Sequence, residues 1–170
     1  GYKYIPGRWN NVLDQIISFY QLNSQSRVID AGAGKGFFLN DLKSKIKSDH
    51  LYGFDISEYA VEHCPKEIKN NFFVHDIKKN MNFDNKFFDL LTCFGVIHNL
   101  KIFEIEKTIT EIMRISNNQY LWVESYRNDK ELFNLQCWAK TCESFFAPDE
   151  WIWLFKKFGY EGEYEFIYFE

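Results

Sequence analysis

The strongest constraint on this fold is an alternation of short apolar runs with segments of helical period, unbroken from about residue 10 to residue 158. Arg27–Asp30, Leu51–Asp55, Asn71–His75, Phe87–Phe94 and Tyr120–Glu124 have the length and β-branched or aromatic content of strands. Phe87–Phe94 is near-continuously apolar, as a strand covered on both faces should be. Between the strands the period changes. Val12, Leu13, Ile16, Ile17 and Tyr20 share one face of a helix over 10–21, with Asn10 as its cap. Phe38, Leu39, Leu42 and Ile46 mark a second helix, and Ile102, Ile105, Ile109 and Ile112 a later one. Ser57 caps a helix that Pro65 terminates. Asp129–Lys140 reads as helical, and Pro148 opens a last helix that Gly159 stops. Such alternation implies right-handed crossovers and a three-layer α/β, doubly wound sheet. The tail Tyr160–Phe169 alternates aromatic with acidic residues, which predicts a half-exposed strand near a sheet edge.

At 170 residues the chain suits a single domain spanning 1–170. Within it, residues 1–22 form an N-terminal helix and its lead-in, where Tyr4, Arg8 and Trp9 either make a lid or staple onto the core. A net charge of −4 argues against a nucleic-acid partner, which favours a basic face. Lys43, Lys45 and Lys47 read as the solvated end of a helix. No apolar run approaches the roughly 20 residues that span a membrane, and no signal peptide is visible in a sequence that opens at Gly1. The cysteines at 64, 93, 137 and 142 lack metal-type spacing and are expected to be reduced, as in a cytoplasmic protein. His50, His63 and His75 are scattered, and no metal site is expected.

Ligands of an open parallel sheet bind beyond the carboxyl ends of its strands. Four consecutive strands end here in residues suited to one ligand. The first runs into Asp30-Ala31-Gly32-Ala33-Gly34-Lys35-Gly36, where the glycines let backbone approach a ligand and Asp30 can meet an ammonium group. Asp55 ends the second and can take both hydroxyls of a ribose. Asp76 follows the third and can accept from an adenine amino group. Phe94, expected among the cofactor-binding residues, ends the fourth, ahead of Gly95-Val96-Ile97-His98-Asn99, next to where a substrate would lie. A helix cap is the alternative reading of each strand-terminal aspartate. Phosphate-binding loops fit poorly. Phe37 stands where a dinucleotide fold wants a small residue, and Gly34-Lys35 is followed by Gly36 rather than Ser or Thr.

In this order the motifs resemble those of the class I, Rossmann-like S-adenosylmethionine (SAM)-dependent methyltransferases. Asp30-x-Gly32-x-Gly34-x-Gly36 resembles the family's glycine-rich first motif, and Tyr52-Gly53-Phe54-Asp55-Ile56-Ser57 its acidic second. His75-Asp76-Ile77 resembles the adenine-binding stretch. Phe88–Leu91 through Val96–Leu100 resembles the fourth-strand motif of its small-molecule members. The resemblance covers roughly residues 10–169 and implies SAM as cofactor. It also implies roles: Asp30, Gly32, Gly34 and Gly36 at the methionine part, Asp55 at the ribose, Ile56 flanking adenine, and Asp76 with the Ile77 backbone on the adenine edge. The family closes with a strand and then an antiparallel one beside the fifth, whereas only one strand, Tyr160–Phe169, can be placed here. A mostly parallel sheet with an antiparallel strand near the C-terminus is expected, with absence of the family's final strand as the alternative.

Methyl transfer from a sulfonium is an in-line displacement, in which proximity and alignment contribute roughly 7–11 kcal/mol. If the acceptor must lose a proton, His98 is the candidate base, because an imidazole titrates near neutrality. Glu124 is a second candidate for substrate contact. The acceptor expected is an oxygen or nitrogen atom of a small molecule. Methylation of protein or RNA, and a non-catalytic SAM-binding subunit, are the alternatives.

Overall fold

A computed structural model describes residues 3–170. The chain-order elements are α1 (Asn10–Phe19), β1 (Val28–Ala31), α2 (Phe37–Ile46), β2 (Leu51–Asp55), α3 (Glu58–Glu62), β3 (Phe72–Val74), β4 (Phe88–Phe94), α4 (Ile102–Ile115), β5 (Ser116–Glu124), α5 (Asp129–Trp138), α6 (Pro148–Lys157) and β6 (Glu163–Ile167). Short 3₁₀ segments cover Lys66–Asn71 and Ile97–Asn99. The strands form one sheet in the order β3-β2-β1-β4-β5-β6. The order reverses between β1 and β4, so the loops after these two strands diverge and leave a crevice.

Helices cover both faces. On one, Ile105, Ile109 and Ile112 of α4 and Trp151, Leu154 and Phe155 of α6 pack against Ile29, Leu91 and Leu121. On the other, Leu13 and Ile16 of α1 and Phe38, Leu39 and Leu42 of α2 pack against Val28, Leu51 and Leu90. Each fully buried aromatic or aliphatic side chain here stabilises the fold by about 1.5–3 kcal/mol. Among the described residues no helix is long and apolar enough to cross a membrane.

The structure corrects the expected antiparallel strand: every pairing in the sheet is parallel. β6 lies directly beside β5, with Tyr120 opposite Glu163 and Glu124 opposite Ile167. The cause is the connection. The chain leaves β5, returns through α5 and α6, and so delivers β6 in the same direction, whereas an antiparallel neighbour can follow from a simple hairpin. No strand follows Ile167 among the described residues.

Smaller differences have local causes. β5 starts at Ser116, where α4 has just ended, four residues ahead of the apolar run. Its polar opening survives because the Ser116 hydroxyl donates to the Ile112 carbonyl and the Asn118 amide to that of Asp89, while Asn117 is exposed. Asn10 is the first residue of α1 and not its cap; Trp9 holds that position without a side-chain hydrogen bond. Ser57 does cap α3, accepting from the Ala60 N–H.

Candidate active site

The site begins where β1 turns into α2. Gly34 has φ +56° and nothing within 4 Å of where a Cβ would stand, so this peptide faces open space with its backbone exposed. Its N–H donates to Asp55 Oδ2 at 2.8 Å, and the Ser57 N–H donates to Asp55 Oδ1 at 2.9 Å. Asp55 therefore ties the end of β2 to the glycine loop and to the start of α3. Each carboxylate oxygen has two acceptor positions, so both retain one for a hydroxyl. Gly32 and Gly36 serve packing. A Cβ on Gly32 would fall 2.4 Å from Val96 Cγ2, and one on Gly36 2.4 Å from Ile68 Cδ1.

Asp30 sits in register with Thr92 of β4, and the Thr92 hydroxyl donates to its Oδ1 at 2.7 Å. The side chain is buried, and burial pushes its carboxyl up to about 7 against the opposing pull of the Thr92 hydrogen bond; the charge of Asp55 adds to the rise. A buried acid this reluctant to ionise gains most from a cationic partner.

Asp30, Gly32 and Gly34 line a cavity of about 490 Å³ that extends toward the end of β5. Its wall is aromatic. Phe94 of β4 and Trp122 of β5 are register neighbours with ring centroids 4.5 Å apart, and Trp9 stacks on Phe94 at 5.6 Å. Phe38 meets both Trp9 and Phe94 edge-on. The lead-in to α1 closes one side, with Tyr4, Arg8 and Trp9 all on the cavity, and the Tyr4 hydroxyl donates to Asp41 Oδ1 at 2.6 Å. Gly1 and Tyr2, the first residues of the expected lid, lie outside the described residues. Trp138 and Phe169 line the side toward the chain's end.

The residues expected around adenosine, Asp55, Ile56, Asp76 and Ile77, are not in the lining of this cavity, and Asp55 touches it through Gly34. Ile56 follows β2 with its side chain 67% exposed, an apolar surface open to a flat ring. Asp76 accepts the Lys78 N–H on Oδ1, which leaves its other oxygen toward Lys78 Nζ at 4.0 Å. The Ile77 side chain is buried in the core, so its part in any ligand contact falls to the backbone.

His98 lies behind the wall. It occupies the 3₁₀ turn after β4, is buried, and accepts the N–H groups of Glu143 and Ser144 on its carbonyl oxygen. Its Nδ1 is 2.5 Å from Glu124 Oε2, a close contact not aligned as a hydrogen bond. Glu124, also buried, is the member of the pair that lines the cavity. Gly95 makes this possible, since at φ +68° its missing Cβ would stand 2.7 Å from Glu124 Oε1. Reading the sequence by strand end named Glu124 and His98 but not their contact, nor which aromatic residues wall the cavity. The signal was the two-residue period of Tyr120, Trp122 and Glu124, which sets all three on one face of β5.

A family model described as a methyltransferase domain matches residues 22–159. No curated protein matches the sequence. Several solved structures are similar in fold. One is a chain from the complex of the Haloferax volcanii Trm112 methyltransferase activator with a candidate methyltransferase: TM-score 0.68, 19% identity, 89% of this chain and 67% of that one. A second is the YcgJ protein of Bacillus subtilis, with TM-score 0.67, 19% identity and coverage of 88% and 68%. A third is a SAM-dependent methyltransferase from Archaeoglobus fulgidus, with TM-score 0.65, 19% identity and coverage of 90% and 69%. This chain spans about two thirds of the length of each.

Proposed function

We propose, from the premise that this chain belongs to the family of SAM-dependent methyltransferase domains, that it moves the methyl group to an oxygen or nitrogen atom of a small molecule. SAM supplies a methyl group already activated on a sulfonium. Asp30 holds the ammonium of its methionine part, with the Gly32 and Gly34 backbone alongside, and Gly36 keeps the loop close to β3. Asp55 takes the ribose hydroxyls on its two remaining acceptor positions. Ile56 flanks the adenine, Asp76 and the Ile77 backbone meet its edge, and Phe94 separates donor from acceptor. Residues 1–170 act as one domain in the cytoplasm, with Tyr4, Arg8 and Trp9 ahead of α1 serving as a lid.

The observation that carries the small-molecule reading is the cavity. It runs from Asp30 to Glu124, has the size of ordinary small-ligand pockets, and is covered by the chain's own N-terminal segment. Any proton the acceptor loses passes to Glu124, with His98 holding that carboxylate in place from behind. A second reading, methylation of protein or RNA by a subunit with a partner, draws on the Haloferax volcanii structure, which contains an activator. The two separate when the protein is incubated with SAM and fractionated cell extract. Release of S-adenosylhomocysteine with the low-molecular-weight fraction supports the first. Release only with protein or RNA supports the second, and binding of SAM without turnover on any fraction supports a non-catalytic subunit.

A further inference from the structure

Resting on that methyl-transfer reading, we infer that the acceptor is a primary or secondary amine carried on an apolar body, and that Glu124 recognises it. The acceptor end of the cavity combines two features. One is a wall of Trp9, Phe94 and Trp122, which offers contact area to an apolar group and ring faces to a cation. The other is a carboxylate, Glu124, at 6% exposure, with His98 behind it and Gly95 opened to admit its Oε1. A buried carboxylate strongly favours a cationic partner and repels an anion. The Lys and Arg side chains on the same cavity stand elsewhere, and His98, against Glu124 Oε2, lies off the lining. Lys3 and Arg8 are exposed at the rim, where water and salt screen them, and Lys35 lies over the Tyr59 ring at 4.9 Å.

The reacting charges point the same way. A neutral amine becomes positive as it attacks, which a neighbouring carboxylate stabilises. A phenol or carboxylic acid must first become an anion beside Glu124, which the same charge opposes. Before the step, the ammonium form of the acceptor loses one proton through Glu124 to water, so Glu124 is again a carboxylate when the amine attacks. The freed nitrogen lone pair forms the new N–C bond as the C–S bond breaks, and the electron pair of that bond stays on sulfur as a neutral thioether. The methylated amine leaves as its ammonium.

The test uses two probes of similar body and opposite charge, 2-phenylethylamine and 3-phenylpropionate, titrated into the full chain saturated with S-adenosylhomocysteine. Tryptophan emission reports occupancy, because Trp9, Trp122 and Trp138 line the cavity. The amine should bind at least about tenfold more tightly, as a buried charge pair requires, and Glu124→Gln should reduce that preference to about twofold or less. Equal or tighter binding of the carboxylate, binding of neither probe, or a preference that survives Glu124→Gln overturns the inference. The wild-type comparison decides even if the variant fails to fold. Failure of S-adenosylhomocysteine itself to bind would instead sink the donor-site reading.

Discussion

Asp30 should be a residue that the protein holds at a cost to its own stability. Its carboxyl is pushed up to about 7 in the folded chain by burial, against about 3.9 for an exposed aspartate. The sign follows from proton counting. Below about pH 4 both states are protonated and the group contributes nothing. Between about 4 and 7 the unfolded chain releases a proton that the folded chain keeps, so stability falls as pH rises, by about 1.4 kcal/mol per unit. Above about 7 the loss is complete, with a ceiling near 4 kcal/mol. Asp30→Asn removes the ionisation while leaving an oxygen for the Thr92 hydroxyl, which donates across 2.7 Å. Recovering about half of the ceiling, roughly 2 kcal/mol, should raise the ligand-free melting temperature at pH 8 by about 4–8 °C. Near pH 4 the gain should shrink below about 1 kcal/mol. SAM affinity should fall at the same time by about ten- to a hundredfold, the loss of a charge-assisted bond to the ammonium. Scanning fluorimetry at the two pH values and calorimetry with SAM measure both. An unchanged or lower melting temperature at pH 8, or an equal gain at both pH values, refutes the argument.

Other substitutions probe the remaining parts of the site. Asp55→Ala should weaken SAM by about 2–4 kcal/mol in calorimetry and also lower the ligand-free melting temperature, because both carboxylate oxygens hold backbone N–H groups in the free chain. A fall in melting temperature with full SAM affinity would leave Asp55 as a cap alone. Gly95→Ala should depress the transfer rate while SAM affinity stays constant, since the added methyl meets Glu124 Oε1 at a backbone angle that disfavours alanine. An unchanged rate would separate Glu124 from the chemistry. For His98→Asn, kcat should drop by an amount at the lower end of the roughly hundred- to ten-thousand-fold that general-base catalysis contributes, with KM for SAM unaltered. Loss of SAM binding in that variant would show that His98 supports the fold of the site instead.

Most of the architecture was legible because each central strand is covered on both faces. Continuous apolar runs such as Phe88–Phe94 have no other stable home, and the helices between them carry unambiguous stripes. The glycine loop was legible because its spacing follows from backbone geometry. What escaped depended on contacts distant in sequence. The direction of β6 is set by the crossover through α5 and α6, and an alternating strand looks the same whichever way it runs. The polar start of β5 is held by partners on α4 and β4, which its own residues do not announce. His98 stood at the right strand end, but a 3₁₀ turn and the segment at Glu143–Ser144 bury it, and Glu124 takes its place on the cavity. The aromatic wall joins Trp9, Phe38, Phe94 and Trp122 from four elements or their flanks, and only the folded sheet gathers them.

The placement of β6 bears on how the molecule behaves among copies of itself. Among the described residues β6 is last in the order and uses one of its two hydrogen-bonding sides, a template for another extended segment. Glu163 and Glu165 stand on this rim, and Glu165 is additionally anchored by the Tyr120 hydroxyl. Two like charges brought against a second pair would repel at strand spacing, which is how natural sheets keep an open border from adhering to its neighbours. The acidic alternation of the tail thus opposes pairing of this border with a second copy of itself.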